Sequence, residues 1–119
     1  TFAHAYEAAH NYSKKLNHGE AVILGIISSA KFSYKNKFLK KKDYEKIFEH
    51  IKKLNLPLNL NNYFKKKDVN LIMKYMKSDK KNSSSKINLI LIKKIGKIIL
   101  DLSFDKFIIK KYLYNELSN

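Results

Sequence analysis

Asn17-His18-Gly19-Glu20-Ala21-Val22-Ile23-Leu24-Gly25-Ile26-Ile27 is the stretch on which the reading of this chain turns. Asn17 has the side chain of a helix N-cap, and Glu20, three residues on, can return the bond as in a capping box. The helix this opens, over about residues 18–35, is apolar nearly all round, which predicts burial on most sides. Gly25 inside it costs about 1 kcal/mol against alanine. A glycine kept at that cost predicts a neighbour packed close against the helix.

Outward from this helix the chain reads as a series of further helices. Residues 1–15 are rich in alanine and aromatics and predict a helix that began before Thr1. Residues 41–54 are the clearest amphipathic segment, with Tyr44, Ile47, Phe48, Ile51 and Leu54 on one stripe. Pro57 cannot continue that helix. Residues 59–67 form a polar loop anchored by Tyr63 and Phe64. Asp68 is positioned to cap a helix whose core stripe is Val69, Ile72, Met73 and Met76. Polar residues 78–85 lead to two β-branched and leucine runs, 87–92 and 97–102, with a turn near 93–96, which predicts a hairpin or a pair of short strands. Ser103 can cap a last helix carrying Phe104, Phe107, Ile108 and Tyr112. The fold class is therefore mainly α, with a small β element near residues 87–102, in one domain over residues 1–119.

Composition limits the chemistry. The 119 residues suffice for one modest core. There is no cysteine, which removes disulfides, thiolate metal sites and cysteine nucleophiles. The longest apolar run, residues 21–27, falls far short of the roughly 20 residues of a membrane span. The net charge of +15 suggests a phosphate backbone as partner. Yet all 25 basic residues are lysine, and arginine, the main bidentate reader of guanine, is absent. With 12 asparagines and 14 isoleucines alongside, the lysines match a composition drawn from A/T-rich codons. A solvated lysine-rich surface outweighs a nucleic-acid site.

Four histidines are the candidates for chemistry. His50 lies on the amphipathic helix and reads as a surface residue. His4 and His10 are about 600° apart round a helix and so diverge by about 120°, and His10 reads as structural. His18 falls in the first turn of the apolar helix beside Gly19, where an imidazole can reach into a cleft and the glycine leaves room for a ligand. A metal role for it needs further ligands. Lys80, in Asp79-Lys80-Lys81, is either one more surface lysine or a point charge for phosphate or carboxylate.

Five segments in order resemble the 3-dehydroquinate synthase family. Thr1-Phe2-Ala3-His4-Ala5-Tyr6-Glu7-Ala8 is similar to the end of its G-H-T-F-[GA]-H-A-x-E-A motif. Asn11-Tyr12-Ser13 with His18-Gly19-Glu20-Ala21-Val22 resembles G-Y-S…L-H-G-E-A-V. Leu56-Pro57 resembles a G-L-P turn, Met76-Lys77-Ser78-Asp79-Lys80-Lys81 resembles M-x-x-D-K-K, and Ile95-Gly96 resembles an I-G after the strand. Asn11 stands where glycine is usual and Asn17 where leucine is, and the N-terminal NAD-binding half has no counterpart in this sequence.

The resemblance implies a two-domain enzyme of the shikimate pathway. It turns a seven-carbon keto-sugar acid phosphate into 3-dehydroquinate, with NAD and a divalent metal, zinc or cobalt. It also implies a cytoplasmic homodimer with no nucleic-acid or membrane partner. Within this chain it assigns His18 as one metal ligand, His4 to proton transfer and Lys80 to the substrate's anionic groups. The other metal ligands, a histidine just before Thr1 and a glutamate, fall outside it. A related sugar-phosphate cyclase, an inosose or valiolone synthase, is the nearest alternative, and the Asp79-Lys80-Lys81 context favours the dehydroquinate enzyme.

Overall fold

Gly25 does what the sequence requires of it. In the computed structural model, which describes residues 2–11, 15–55, 59–77, 86–94 and 97–118, helix α1 (Phe2–Ala9) lies directly across helix α2 (His18–Lys35) at this residue. A Cβ placed on Gly25 would stand 2.7 Å from Ala3 Cβ and 2.9 Å from the Ala3 backbone nitrogen. The crossing thus works only with small residues on both helices.

Three more helices and a hairpin pack around this pair: α3 (Lys41–Lys53), α4 (Val69–Lys77), β1 (Lys86–Lys94), β2 (Lys97–Asp105) and α5 (Lys106–Glu116). Short 3₁₀ turns at Leu60–Asn62 and Lys66–Asp68 lead into α4. Helix α1 rests on α4 as well as α2, β1 lies on α2, and α5 follows β2 back toward α4. The strands pair antiparallel, with Ile87 opposite Phe104 and Leu89 opposite Leu102, and the register shifts beyond Leu89. Ile87, Leu89 and Leu91 are buried while Asn88 and Ile90 between them are not, the period of two expected of a strand with one wet face. The mainly α fold with its hairpin is the one read from the sequence.

The core is aromatic at its centre. The Phe32 ring lies 5.1 Å from Phe104, 5.5 Å from Tyr112 and 6.2 Å from Phe2, edge-on or tilted, as ring quadrupoles prefer. Two phenols here need partners, and Ser28 of α2 supplies them. Its Oγ lies 2.6 Å from the Tyr6 hydroxyl and also hydrogen-bonds Tyr112. A serine hydroxyl, with one proton and two lone pairs, can serve both. Burial pushes both phenols well above the usual tyrosine range. At the rim, Glu116 of α5 receives Lys31 Nζ at 2.6 Å and Lys35 Nζ at 3.0 Å while only 13% exposed, which clasps the last helix to α2.

Element ends depart from expectation in two places. Helix α1 stops at Ala9, not near residue 15, because Asn11 turns to φ 56°. His10 N–H still donates to Tyr6 O and Asn11 N–H to Ala8 O, after which the left-handed residue breaks the helix. This is the position where the resembled motif has glycine, and asparagine is a side chain that tolerates such a backbone. Helix α5 is capped by Asp105, whose carboxylate accepts from Phe107 N–H at 2.9 Å, and not by Ser103. Ser103 belongs to β2 and donates its hydroxyl across the hairpin to Asn88. In α5 it is Ile109, Tyr112 and Leu113 that are buried, while Phe107 and Ile108 are exposed. Asp68, directly before α4, reaches back to accept from Lys65 N–H at 2.8 Å and so secures the turn that leads into the helix. Residues 56–58, 78–85 and 95–96, where the proline turn, the polar loop and the hairpin turn are expected, lie outside the described residues.

Two predictions follow from this packing. Gly25→Ala, which raises helix propensity by about 1 kcal/mol, should nonetheless destabilise, because crowding in a close-packed contact costs about 1–3 kcal/mol. A melting temperature above wild type would contradict the crossing. For Tyr6 the folded state holds its proton more tightly than the unfolded one, so its contribution is whole at neutral pH and declines as pH rises past 10.0. The loss for one such phenol is at most about 1.4 kcal/mol per pH unit. Tyr6→Phe should be less stable at neutral pH yet lose less on going to about pH 11, read by chemical denaturation at both pH values. Equal alkaline losses in the two proteins would show that Tyr6 does not titrate on unfolding.

Candidate functional site

The first turn of α2 is held from both sides. Glu20 N–H donates to Asn17 Oδ1 at 2.8 Å, and Asn17 N–H donates to Glu20 Oε1 at 3.1 Å, the reciprocal pair expected of a capping box. The second Glu20 oxygen accepts from the Tyr63 hydroxyl at 3.2 Å. Burial, with the Glu20 carboxylate second, pushes the Tyr63 phenol upward, which keeps it a donor. His18 is therefore presented from a backbone that cannot easily fray. Its own side chain is 78% exposed.

His18 nevertheless has a partner. Its Nδ1 lies 3.2 Å and 3.3 Å from the two oxygens of Glu7 on α1. An ionised carboxylate only accepts hydrogen bonds, so the proton sits on Nδ1 and donates to Glu7. The Nε2 lone pair then faces outward. Glu7 is only 18% exposed, which gives it a more confined position than the imidazole it holds. Next door, a Cβ on Gly19 would meet only Asn17 Oδ1, at an ordinary 3.5 Å. Nothing among the described residues calls for glycine there, and the space over the turn is open.

His4 is exposed on α1, three residues before Glu7. Residues at that spacing share a helix face, so His4, Glu7 and His18 gather along one side of α1 next to the start of α2. His10 is turned away into aromatic company, 5.5 Å from the Phe64 ring and 6.2 Å from Tyr63, the structural place expected of it. His50 is exposed on α3 beside an apolar groove of Ile23, Ile26, Ile47 and Leu54. Lys80 and its neighbours Asp79 and Lys81 lie outside the described residues, as do Tyr12 and Ser13. Helix α4, which ends at Lys77, packs on α1.

One set of residues fits a metal in part. No three His, Asp or Glu side chains converge among the described residues. What the described residues offer is the exposed imidazole of His18, whose ring is already oriented by a carboxylate. That is the donor set of one contributed ligand, not of a complete site, which takes three protein ligands where catalysis is done. The residue that sequence reasoning passed over is Glu7. It is visible in the quoted motif, but nothing local says that it reaches a residue eleven positions away.

Residues 1–82 match a family model described as 3-dehydroquinate synthase C-terminal. Over 118 residues the chain is 49% identical to the 3-dehydroquinate synthase of Pelagibacter ubique, covering 99% of this chain and 32% of that protein. It is 36% identical over 101 residues to that of Zymomonas mobilis, covering 85% of this chain and 27% of the relative. Among solved structures, that of 2-deoxy-scyllo-inosose synthase complexed with carbaglucose-6-phosphate, NAD+ and Co2+ has a TM-score of 0.70 over 96% of this chain and 34% of its own, at 21% identity. That likeness shows the fold. The chain spans about a third of the length of the curated relatives.

The capping box yields a prediction of its own. Asn17→Ala should cost about 1 kcal/mol and speed amide exchange at Glu20, the donor that loses its acceptor. Unchanged protection at Glu20 would mean that the first turn, and with it His18, is held by something else.

Proposed function

The chain belongs to the 3-dehydroquinate synthase C-terminal family, and from that premise we propose that it is the metal- and substrate-binding domain of a full-length 3-dehydroquinate synthase. The whole protein then converts 3-deoxy-arabino-heptulosonate 7-phosphate into 3-dehydroquinate and phosphate, on the way to chorismate and the aromatic amino acids. The dinucleotide-binding half and the remaining metal ligands come from the rest of the protein, which acts as a cytoplasmic homodimer. The observation that carries the reading is the placing of the two motif histidines, His4 and His18, on one exposed side of the α1–α2 pair with an imidazole nitrogen pointing outward.

Each residue has a definite task. His18 offers Nε2 to a divalent cation, zinc or cobalt. His4, whose imidazole carries both a proton donor and an acceptor nitrogen, can take a proton from one substrate atom and return it to another. Lys80 pairs its ammonium with the phosphate or carboxylate of the substrate and neutralises charge that builds as phosphate leaves. When bound, NAD would supply hydride acceptance and return, and the metal would supply polarisation of the oxygen being oxidised. The helical domain makes one wall of a cleft whose other wall is the dinucleotide-binding half, the usual place for such a site.

A second reading, a different sugar-phosphate cyclase, is favoured only by the fold likeness to the inosose synthase. Substrate choice separates the two. The full-length protein should release phosphate from the heptulosonate phosphate and not from a hexose 6-phosphate, and the reverse preference would establish the second reading. In the same protein, His18→Ala should lose metal and activity together, while His4→Ala should keep its metal and turn over slowly. Lys80→Ala should lower kcat/KM about ten- to a hundred-fold, as expected for loss of a charge-assisted contact, with Lys81→Ala nearly silent. Full metal occupancy without His18, by elemental analysis, would refute the assignment.

A further inference from the structure

We propose that Glu7 is a positioning residue for the metal site, acting through His18 and resting on the reading of His18 as a ligand. Glu7 is a carboxylate only 18% exposed, on a helix whose Phe2, Ala5, Tyr6, Ala8 and Ala9 are all buried. A carboxylate in that setting needs a hydrogen-bond donor. Among the described residues the donor is His18 Nδ1–H, at 3.2 Å and 3.3 Å from the two oxygens.

Two consequences follow from the chemistry of imidazole. The neutral ring carries one proton, and the partner of one nitrogen decides which nitrogen is left bare. With Nδ1–H committed to Glu7, Nε2 is the free donor, and the ring cannot rotate about its χ angles without breaking the bond. A carboxylate behind the ring is the arrangement seen generally where a histidine binds metal. The two anchors are independent. The backbone of His18 is set by the Asn17–Glu20 capping box, and its ring is set by α1, whose place is fixed by the Gly25–Ala3 crossing. His18 is thus held at one end by its own helix and at the other by the helix that carries His4.

The test uses the full-length protein, stripped of metal and titrated with zinc against a competing chelator. Glu7→Ala should bind one zinc per site but about ten- to a hundred-fold more weakly, with the melting temperature of the metal-free protein unchanged. Glu7→Gln, whose amide oxygen can still accept from Nδ1–H, should lose less. In the metal-free wild type, nitrogen-15 NMR should show His18 protonated on Nδ1, and Glu7→Ala should shift it toward the Nε2–H tautomer. With cobalt at saturation the visible spectrum should keep its shape, since no ligand has been removed. Zinc affinity within about twofold of wild type in Glu7→Ala, while His18→Ala loses its metal, would overturn the proposal and leave the ligand reading standing. A cobalt spectrum reporting a changed coordination number would overturn it too, by making Glu7 a ligand. Stoichiometric tight zinc in His18→Ala would instead overturn the reading on which it rests.

Discussion

The approach of α1 to α2 at Ala3 and Gly25 is the constraint from which the remaining features follow. The separation leaves no room for a single added methyl group. Because the helices touch backbone to backbone at that point, Tyr6 falls opposite Ser28 one turn along, and Glu7 falls opposite His18 at the helix start. One side of the crossing thus builds the core, and the other builds the candidate site. Interiors packed at crystal-like density transmit small displacements. A shift of α1 by a few tenths of an ångström would therefore be felt at both.

The core side explains why the site side can afford exposure. Phe2, Tyr6, Phe32, Phe104 and Tyr112 interlock across four elements, and the Tyr6–Ser28 and Glu116–lysine contacts tie α1 and α5 to α2. With α2 gripped along its length, its first turn can stand open to solvent. The helix holds two kinds of surface for one reason: its middle is buried by neighbours and its N-terminus is left open. The groove between α2 and α3 is a different matter. Ile26 and Leu54 are 41% and 54% exposed there, so the apolar stripe of α3 is only partly covered by this chain.

Much of this was legible in residues 17–27. The Asn17–Glu20 spacing located the start of α2, and Gly25 announced a close neighbour, because each has a local physical cause. The hairpin was legible from β-branched runs for the same reason. Helix ends were less so. Ser103 and Asp105 are both good caps, and only the pairing of Ser103 with Asn88 across the hairpin decides between them. The end of α1 depended on Asn11 adopting a left-handed backbone, which many asparagines do not. In α3 the periodicity showed that one face is apolar without showing what covers it. His4 and His18 were found through motif resemblance, whereas Glu7 was not, because its role exists only once α1 has folded across α2.

Zinc placed by anomalous scattering in crystals of the full-length protein tests the central claim most directly. The account predicts a peak about 2.0–2.1 Å from His18 Nε2, with Nδ1 still donating to Glu7 and His4 nearby but not coordinating. A fully occupied zinc bound without His18, or bound through His18 Nδ1 with Glu7 turned away, would contradict it.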